Sequence, residues 1–75
     1  MTYYLLVFNR PRGQLVSEIV EFADHREAMA ERLRLELENR DNPDLEIVVL
    51  GAESLTAIKN THSRYFGLAN LLNWT

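Results

Sequence analysis

The sequence predicts a small α+β fold, a two-layer ββαβα sandwich in which two helices cover a three-stranded sheet. The first observation is a pair of β-forming segments separated by turn residues near the N-terminus. The second is a segment rich in alanine, leucine, arginine and glutamate behind a capping sequence. The third is an apolar strand followed by a segment with the apolar spacing of an amphipathic helix.

Residues 2–22 are predicted to form a β-hairpin. Residues 2–8 are apolar on both alternating faces, and a second β-forming segment covers residues 14–22. The turn between them contains Pro11, which presets φ, and Gly13, which tolerates a positive φ. We therefore expect a left-handed backbone at Gly13.

The first helix is predicted over residues 24–40. Asp24 is its expected N-cap, and Glu27 stands three residues later, as in a capping box. Pro43 ends the segment because it lacks a backbone N–H. The expected buried face contains Met29, Ala30, Leu33 and Leu37. Leu35 and Ala28 are expected on the opposite face.

The second half of the chain predicts a strand at 45–50 and a helix at 54–66. Gly51 ends the strand, and Ser54 is a plausible N-cap for the helix. His62 falls in the middle of the apolar stripe of this helix. Residues 68–75 are expected to form a short helix or docking tail after a break at Gly67, although the apolar phase also permits the helix to continue through this glycine.

The connections predict a strand order of 2-1-3, with the first strand in the centre. Two helices on one face of such a sheet leave the other face apolar and uncovered. Either the helices lie on opposite faces, or a second subunit covers the sheet. The apolar surplus of the sheet favours a homodimer, the commonest closed assembly. The expected interface residues are Tyr3, Leu5, Val7 and Val49.

Composition limits the class of protein. The 75 residues are 47% hydrophobic and contain no cysteine, which excludes disulfides and thiolate metal sites. We expect a soluble, cytoplasmic protein without a membrane span, because neither a secretory signal nor a long apolar run is found. The net charge of −3 argues against a general nucleic-acid binder. No motif indicates a metal, a cofactor or a catalytic nucleophile.

Two groups of residues are candidate binding sites. His62, with Tyr65 nearby, is either part of a pocket that supplies an acid or base, or a half-buried structural histidine. The second group is cationic and is a candidate anion or nucleic-acid site if the fold brings its members together. It consists of Arg10, Arg12, Lys59 and Arg64.

Three functional hypotheses follow. The leading one is a non-enzymatic interaction or regulatory module that acts as a homodimer or binds a larger protein. The alternative is a nucleic-acid or anion-binding accessory protein that uses the four cations. The third is a small enzyme or ligand carrier with a pocket formed by His62, Tyr65 and either Tyr3 or Tyr4.

Overall fold

A computed structural model describes residues 1–66 of the chain and shows a small α+β fold. The strands are β1 (Thr2–Asn9), β2 (Gln14–Leu15), β3 (Val20–Phe22) and β4 (Leu45–Ala52). The helices are α1 (His25–Glu38), α2 (Leu55–Thr61) and a 3₁₀ helix (Ser63–Phe66). The predictions for Gly67 and for residues 68–75 lie outside the described residues.

Strand β1 is the centre of the sheet, as predicted. Strand β4 pairs antiparallel with β1 from Thr2 opposite Ala52 to Asn9 opposite Leu45. Strands β2 and β3 pair antiparallel with the other edge of β1. The predicted second strand is therefore present in two short pieces separated by residues 16–19, and the order 2-1-3 describes the sheet.

The helices pack on opposite faces of this sheet, which is one of the two arrangements expected from the sequence, so the layering differs from a two-layer sandwich. The core on one face contains Tyr4, Leu6 and Phe8 of β1 with residues from α2 and the 3₁₀ helix. The alternate residues of β1 point to the other face, where α1 packs. There, Leu5 is 2% exposed and Ala28 of α1 is fully buried.

Helix α1 buries a different face from the one predicted. Ala28 is buried and Leu35 is half-buried, whereas Leu33 and Leu37 are 58% and 59% exposed. Because leucine and alanine occur on every side of this helix, its sequence does not define a single apolar stripe. The helix ends two residues earlier than expected, where the Asn39 side chain donates to the Leu35 carbonyl at 2.9 Å.

The predicted helix at 54–66 is interrupted after Thr61. His62 has φ −128° and ψ 47°, and its backbone N–H donates to the Ile58 carbonyl at 2.7 Å. Asn60, Thr61 and Ser63 are residues whose side chains compete for backbone hydrogen bonds, which disfavours a helix interior. The 3₁₀ helix that follows places Tyr65 and Phe66 in the core.

Three local predictions are confirmed. Gly13 has a φ of +65°. Asp24 caps α1 by accepting a 2.9 Å hydrogen bond from the Arg26 N–H. Ser54 caps α2 by accepting a 3.2 Å hydrogen bond from the Ala57 N–H.

Candidate interaction surface at the β4 edge

Strand β4 has one edge paired with β1 and one edge without a strand partner in the described part of the chain. The Val7 carbonyl accepts from the N–H of Val16, the residue after β2, at 2.8 Å, so the odd-numbered positions of β1 direct their backbone groups away from β4. The register therefore assigns the β1-facing hydrogen bonds of β4 to its even-numbered residues. The N–H and C=O groups of Ile47 and Val49 point to the free edge.

The two edges of the sheet differ in length. On one side, β2 has two residues and β3 has three, and residues 16–19 interrupt them. On the other side, β4 has eight residues without an interruption. Short and broken edge strands are poor templates for an incoming strand, whereas a long regular edge is a good one. The β4 edge is thus the side of this sheet on which strand addition is favoured.

Two exposed leucines of α1, Leu33 and Leu37, adjoin residues that line a groove beside this edge. Glu36 and Arg40 line a groove of about 390 Å³ beside the N-terminal half of β4. Leu33, Leu37 and these two residues have the i, i+3, i+4 and i+7 spacing that places side chains along one side of a helix. The free backbone groups of β4 and this groove form one surface, which we call the β4-edge surface, and the exposed leucines adjoin it on the outer side of α1.

A carboxylate lies at one end of the core next to this surface. Glu46 of β4 is on the same face as Phe8, and its side chain is 17% exposed. Its Oε2 accepts from Arg64 Nη2 at 2.6 Å and from the Tyr65 hydroxyl at 2.8 Å. Its Oε1 accepts from Arg10 Nε at 3.4 Å. The Glu46 cluster, as we call these four residues, thus joins β4, the 3₁₀ helix and the hairpin.

The environment of the Glu46 cluster favours the ionised carboxylate and the neutral phenol. The hydrogen bond from Arg64 is the largest influence lowering the pKa of Glu46. Burial raises the pKa of Tyr65, and the hydrogen bond to Glu46 raises it further. The Arg64 guanidinium also lies 4.1 Å from the centroid of the Tyr65 ring. The charged groups of the Glu46 cluster therefore have partners within the chain, and the role of the cluster in the fold is structural.

The four predicted cations are not gathered into one open site. Arg10 and Arg64 both contact Glu46, so the carboxylate offsets part of their charge. The backbone N–H of Arg12 donates to the Asn9 side chain at 3.0 Å, at the tip of the hairpin. Lys59 Nζ lies 5.7 Å from the centroid of the Phe66 ring. Nothing in residues 1–66 connects Arg12 or Lys59 to the Glu46 cluster.

His62 is exposed, so the expected partial burial of this side chain is wrong. The break in the helix turns His62 out of the apolar stripe while Tyr65 enters the core. The two rings remain neighbours, with centroids 6.4 Å apart. The tyrosines of the third hypothesis are on different faces of the sheet, because Tyr4 packs with Tyr65 whereas the Tyr3 ring lies 5.0 Å from that of His25.

The predicted dimer-interface residues do not form a bare sheet face. Leu5 is buried beneath α1, and Tyr3, Val7 and Val49 are half-buried. The premise for this interface is therefore wrong, since α1 covers the face on which these side chains lie. The dimer itself stays a prediction.

Two features of the β4-edge surface were not predicted. One is Glu46, and its sequence signal is a glutamate within an otherwise apolar strand, because a carboxylate that is partly buried needs partners. The other is the free edge, and its signal is the predicted order 2-1-3, which puts the third strand at the margin of the sheet.

Neither a metal site nor a membrane-spanning helix is found within residues 1–66. Within residues 1–66, no cluster of three histidine or carboxylate side chains has the geometry to hold a metal ion. No helix in the same range has the length and hydropathy needed to cross a bilayer. No protein-family model, curated protein or solved structure matches this chain.

Proposed function

We propose that this chain is a small non-enzymatic interaction module that binds another polypeptide by strand addition at the β4 edge, with self-association as its expected form. The observation that carries the proposal is the eight-residue strand β4, in which the outward N–H and C=O groups of Ile47 and Val49 have no partner in residues 1–66. An incoming strand satisfies such groups with backbone hydrogen bonds, and adjacent apolar side chains add specificity.

Two further observations support this proposal. Leu33 and Leu37 expose more than half of their surface on the outer side of α1, where they adjoin Glu36 and Arg40 of the groove. The polar cluster next to this surface is built around Glu46, whose contacts are internal. The chain thus offers a surface for a partner, and we assign no residue a catalytic role.

The anion-binding alternative has weaker support. Arg10 and Arg64 are ion-paired with Glu46, and an anion would have to compete with that carboxylate for both guanidiniums. A salt-sensitive gel shift at low ionic strength tests it directly, since phosphate contacts weaken as salt rises. Retarded nucleic acid that loses retardation in Arg12→Ala and Lys59→Ala variants would favour this alternative.

The main test removes a single outward hydrogen-bond donor. Val49→Pro deletes the N–H that points to the free edge, and proline is tolerated on an edge strand at such a position. Light scattering should give a mass near twice 8.7 kDa for the unaltered chain at micromolar concentration and near 8.7 kDa for Val49→Pro. Val49→Thr, which keeps the N–H, is the matched control and should still associate. Circular dichroism must show that all three chains are folded.

A second variant tests the leucines. Leu33→Glu should weaken association without unfolding the chain, because this side chain is already 58% exposed. Val16→Glu is its matched control, since Val16 is 55% exposed on the opposite edge of the sheet. An unaltered chain that stays at 8.7 kDa up to millimolar concentration, with Ile47 and Val49 amides exchanging as freely as exposed ones, would refute the self-associating form of the proposal.

A further inference from the structure

The free edge of β4 is complementary to a second copy of itself. Its outward backbone groups belong to odd-numbered residues, and two such edges can pair antiparallel with odd positions opposite odd positions. The pairing needs no rearrangement of the β1–β4 hydrogen bonds. The permitted registers are centred near the middle of the strand, on Ile47, Val48 or Val49.

The charges at the two ends of β4 distinguish among these registers. In the groove beside the N-terminal half of the strand, Arg32 pairs with Glu36 at 3.0 Å. Arg10 pairs there with Glu46 at 3.4 Å. Arg40 is the cation of this groove that has no ion pair within residues 1–66.

At the other end, Glu53 directly follows β4 and is exposed, again with no ion pair in the described part of the chain. In an antiparallel pair the ends of the two strands meet, so each Glu53 approaches the groove of the other copy. The register centred on Val48 places Glu53 opposite Pro43, next to the groove that Arg40 lines. The registers centred on Ile47 and Val49 move Glu53 by two residues in either direction.

From these observations we propose that two copies of the chain pair through β4 about a two-fold axis at Val48, with Glu53 of each copy facing Arg40 of the other. The inference rests on the proposed function and names its partner and register. In this register Val48 of one copy lies directly opposite Val48 of the second, and Ile47 lies opposite Val49. The two sheets become one continuous sheet, and the exposed leucines of the two α1 helices lie on the same face of it.

Cysteine crosslinking tests the register, because the chain has no cysteine of its own. Residues opposite one another at a non-hydrogen-bonded position have Cα atoms about 4.5 Å apart, within the range of a disulfide. We therefore expect Val48→Cys to form a covalent dimer on mild oxidation. Thr56→Cys, exposed on α2, is the matched control and should stay monomeric on a denaturing non-reducing gel. Preferential crosslinking of Ile47→Cys or Val49→Cys would overturn the Val48 register.

Charge reversal tests the end contacts independently of the disulfide. Glu53→Arg should raise the dimer Kd about 2- to 30-fold, since two symmetry-related exposed ion pairs are lost. Adding Arg40→Glu to the same chain should restore the affinity and its salt dependence. Glu18→Arg is the matched control. Glu18 is exposed near the opposite edge of the sheet, so this substitution should leave the Kd unchanged. Failure of the second reversal to restore affinity would refute the Arg40–Glu53 contact.

The outcomes separate this inference from the proposed function. If Val49→Pro lowers the mass while Val48→Cys does not crosslink, strand addition stands and the register is wrong. If the unaltered chain is a monomer in light scattering, the second copy is refuted as the occupant. If both experiments give the expected results, β4 is the dimer contact and Val48 marks its two-fold axis.

Discussion

The Tyr65 hydroxyl donates a 2.8 Å hydrogen bond to Glu46 Oε2, and this contact joins the 3₁₀ helix to the strand at the free edge of the sheet. The Tyr65 ring meets the edge of the Phe8 ring at a centroid distance of 5.1 Å. One side chain therefore completes the core and holds the carboxylate of the neighbouring strand.

Removal of that hydroxyl should cost stability without changing the packing. Tyr65→Phe keeps the ring against Phe8 and deletes the donor to Glu46, for an expected loss of about 1–3 kcal/mol in the free energy of unfolding. Urea denaturation measures this loss. Tyr3→Phe is the matched control, because the Tyr3 hydroxyl makes no hydrogen bond within residues 1–66. Equal stability of Tyr65→Phe and the unaltered chain would show that the Glu46 contact contributes nothing.

Acid should destabilise the fold through Glu46. Its pKa is lowered in the folded chain chiefly by the hydrogen bond from Arg64, so the unfolded chain binds the proton more readily. The stabilisation is complete above the ordinary glutamate pKa of about 4.3 and is lost as the pH falls through the lower folded value. Glu46→Gln should flatten the stability profile below about pH 4.3 in thermal melts. An unchanged slope in this range would contradict the assignment.

The cap of α1 should be measurable by a single substitution. Asp24→Ala removes the acceptor of the Arg26 N–H and should cost about 0.5–2 kcal/mol. Asp24→Ser supplies another capping oxygen and should recover most of that loss. The denaturation midpoint reports both variants, and a midpoint that does not move in Asp24→Ala would show that the helix is stable without this cap.

The hairpin turn should be sensitive to Gly13. A β-branched side chain is strained at a φ of +65°, so Gly13→Val should destabilise the chain by at least about 1–2 kcal/mol. Gln14→Val, at an exposed strand position one residue later, should have little effect or should stabilise. Gly13→Asn should fall between them, because asparagine tolerates the left-handed region. Similar midpoints for Gly13→Val and Gln14→Val would contradict this account.

The features predicted from sequence are those that depend on local chemistry. Gly13, Asp24 and Ser54 each act through residues nearby in the chain, and the central place of β1 follows from its apolar character on both faces. The choice of buried face in α1 depends on the position of the whole helix over the sheet. Leu33 and Leu35 fit a core equally well by residue type, so periodicity did not decide which of them is buried.

The candidate site was predicted poorly for a related reason. His62 was placed on an apolar stripe because the helix was assumed to continue, and one break in the backbone turned it outward. Arg10 and Arg64 were grouped for their charge, yet Glu46, far from both in the sequence, determines their surroundings. Contacts of this kind become visible only when the pairing of β1 with β4 is known.

The central position of β1 has a consequence for how the chain assembles. Its pairing with β2 closes a short turn, whereas pairing Thr2 with Ala52 closes a loop that includes all of α1. Contacts between residues distant in sequence form more slowly because loop closure opposes them. On the ribosome, a nascent chain that has completed α1 but not β4 therefore displays one unpaired edge of its central strand. That interval is when we expect the chain to be most prone to aggregation, and the rate at which β4 emerges then governs the yield of folded protein.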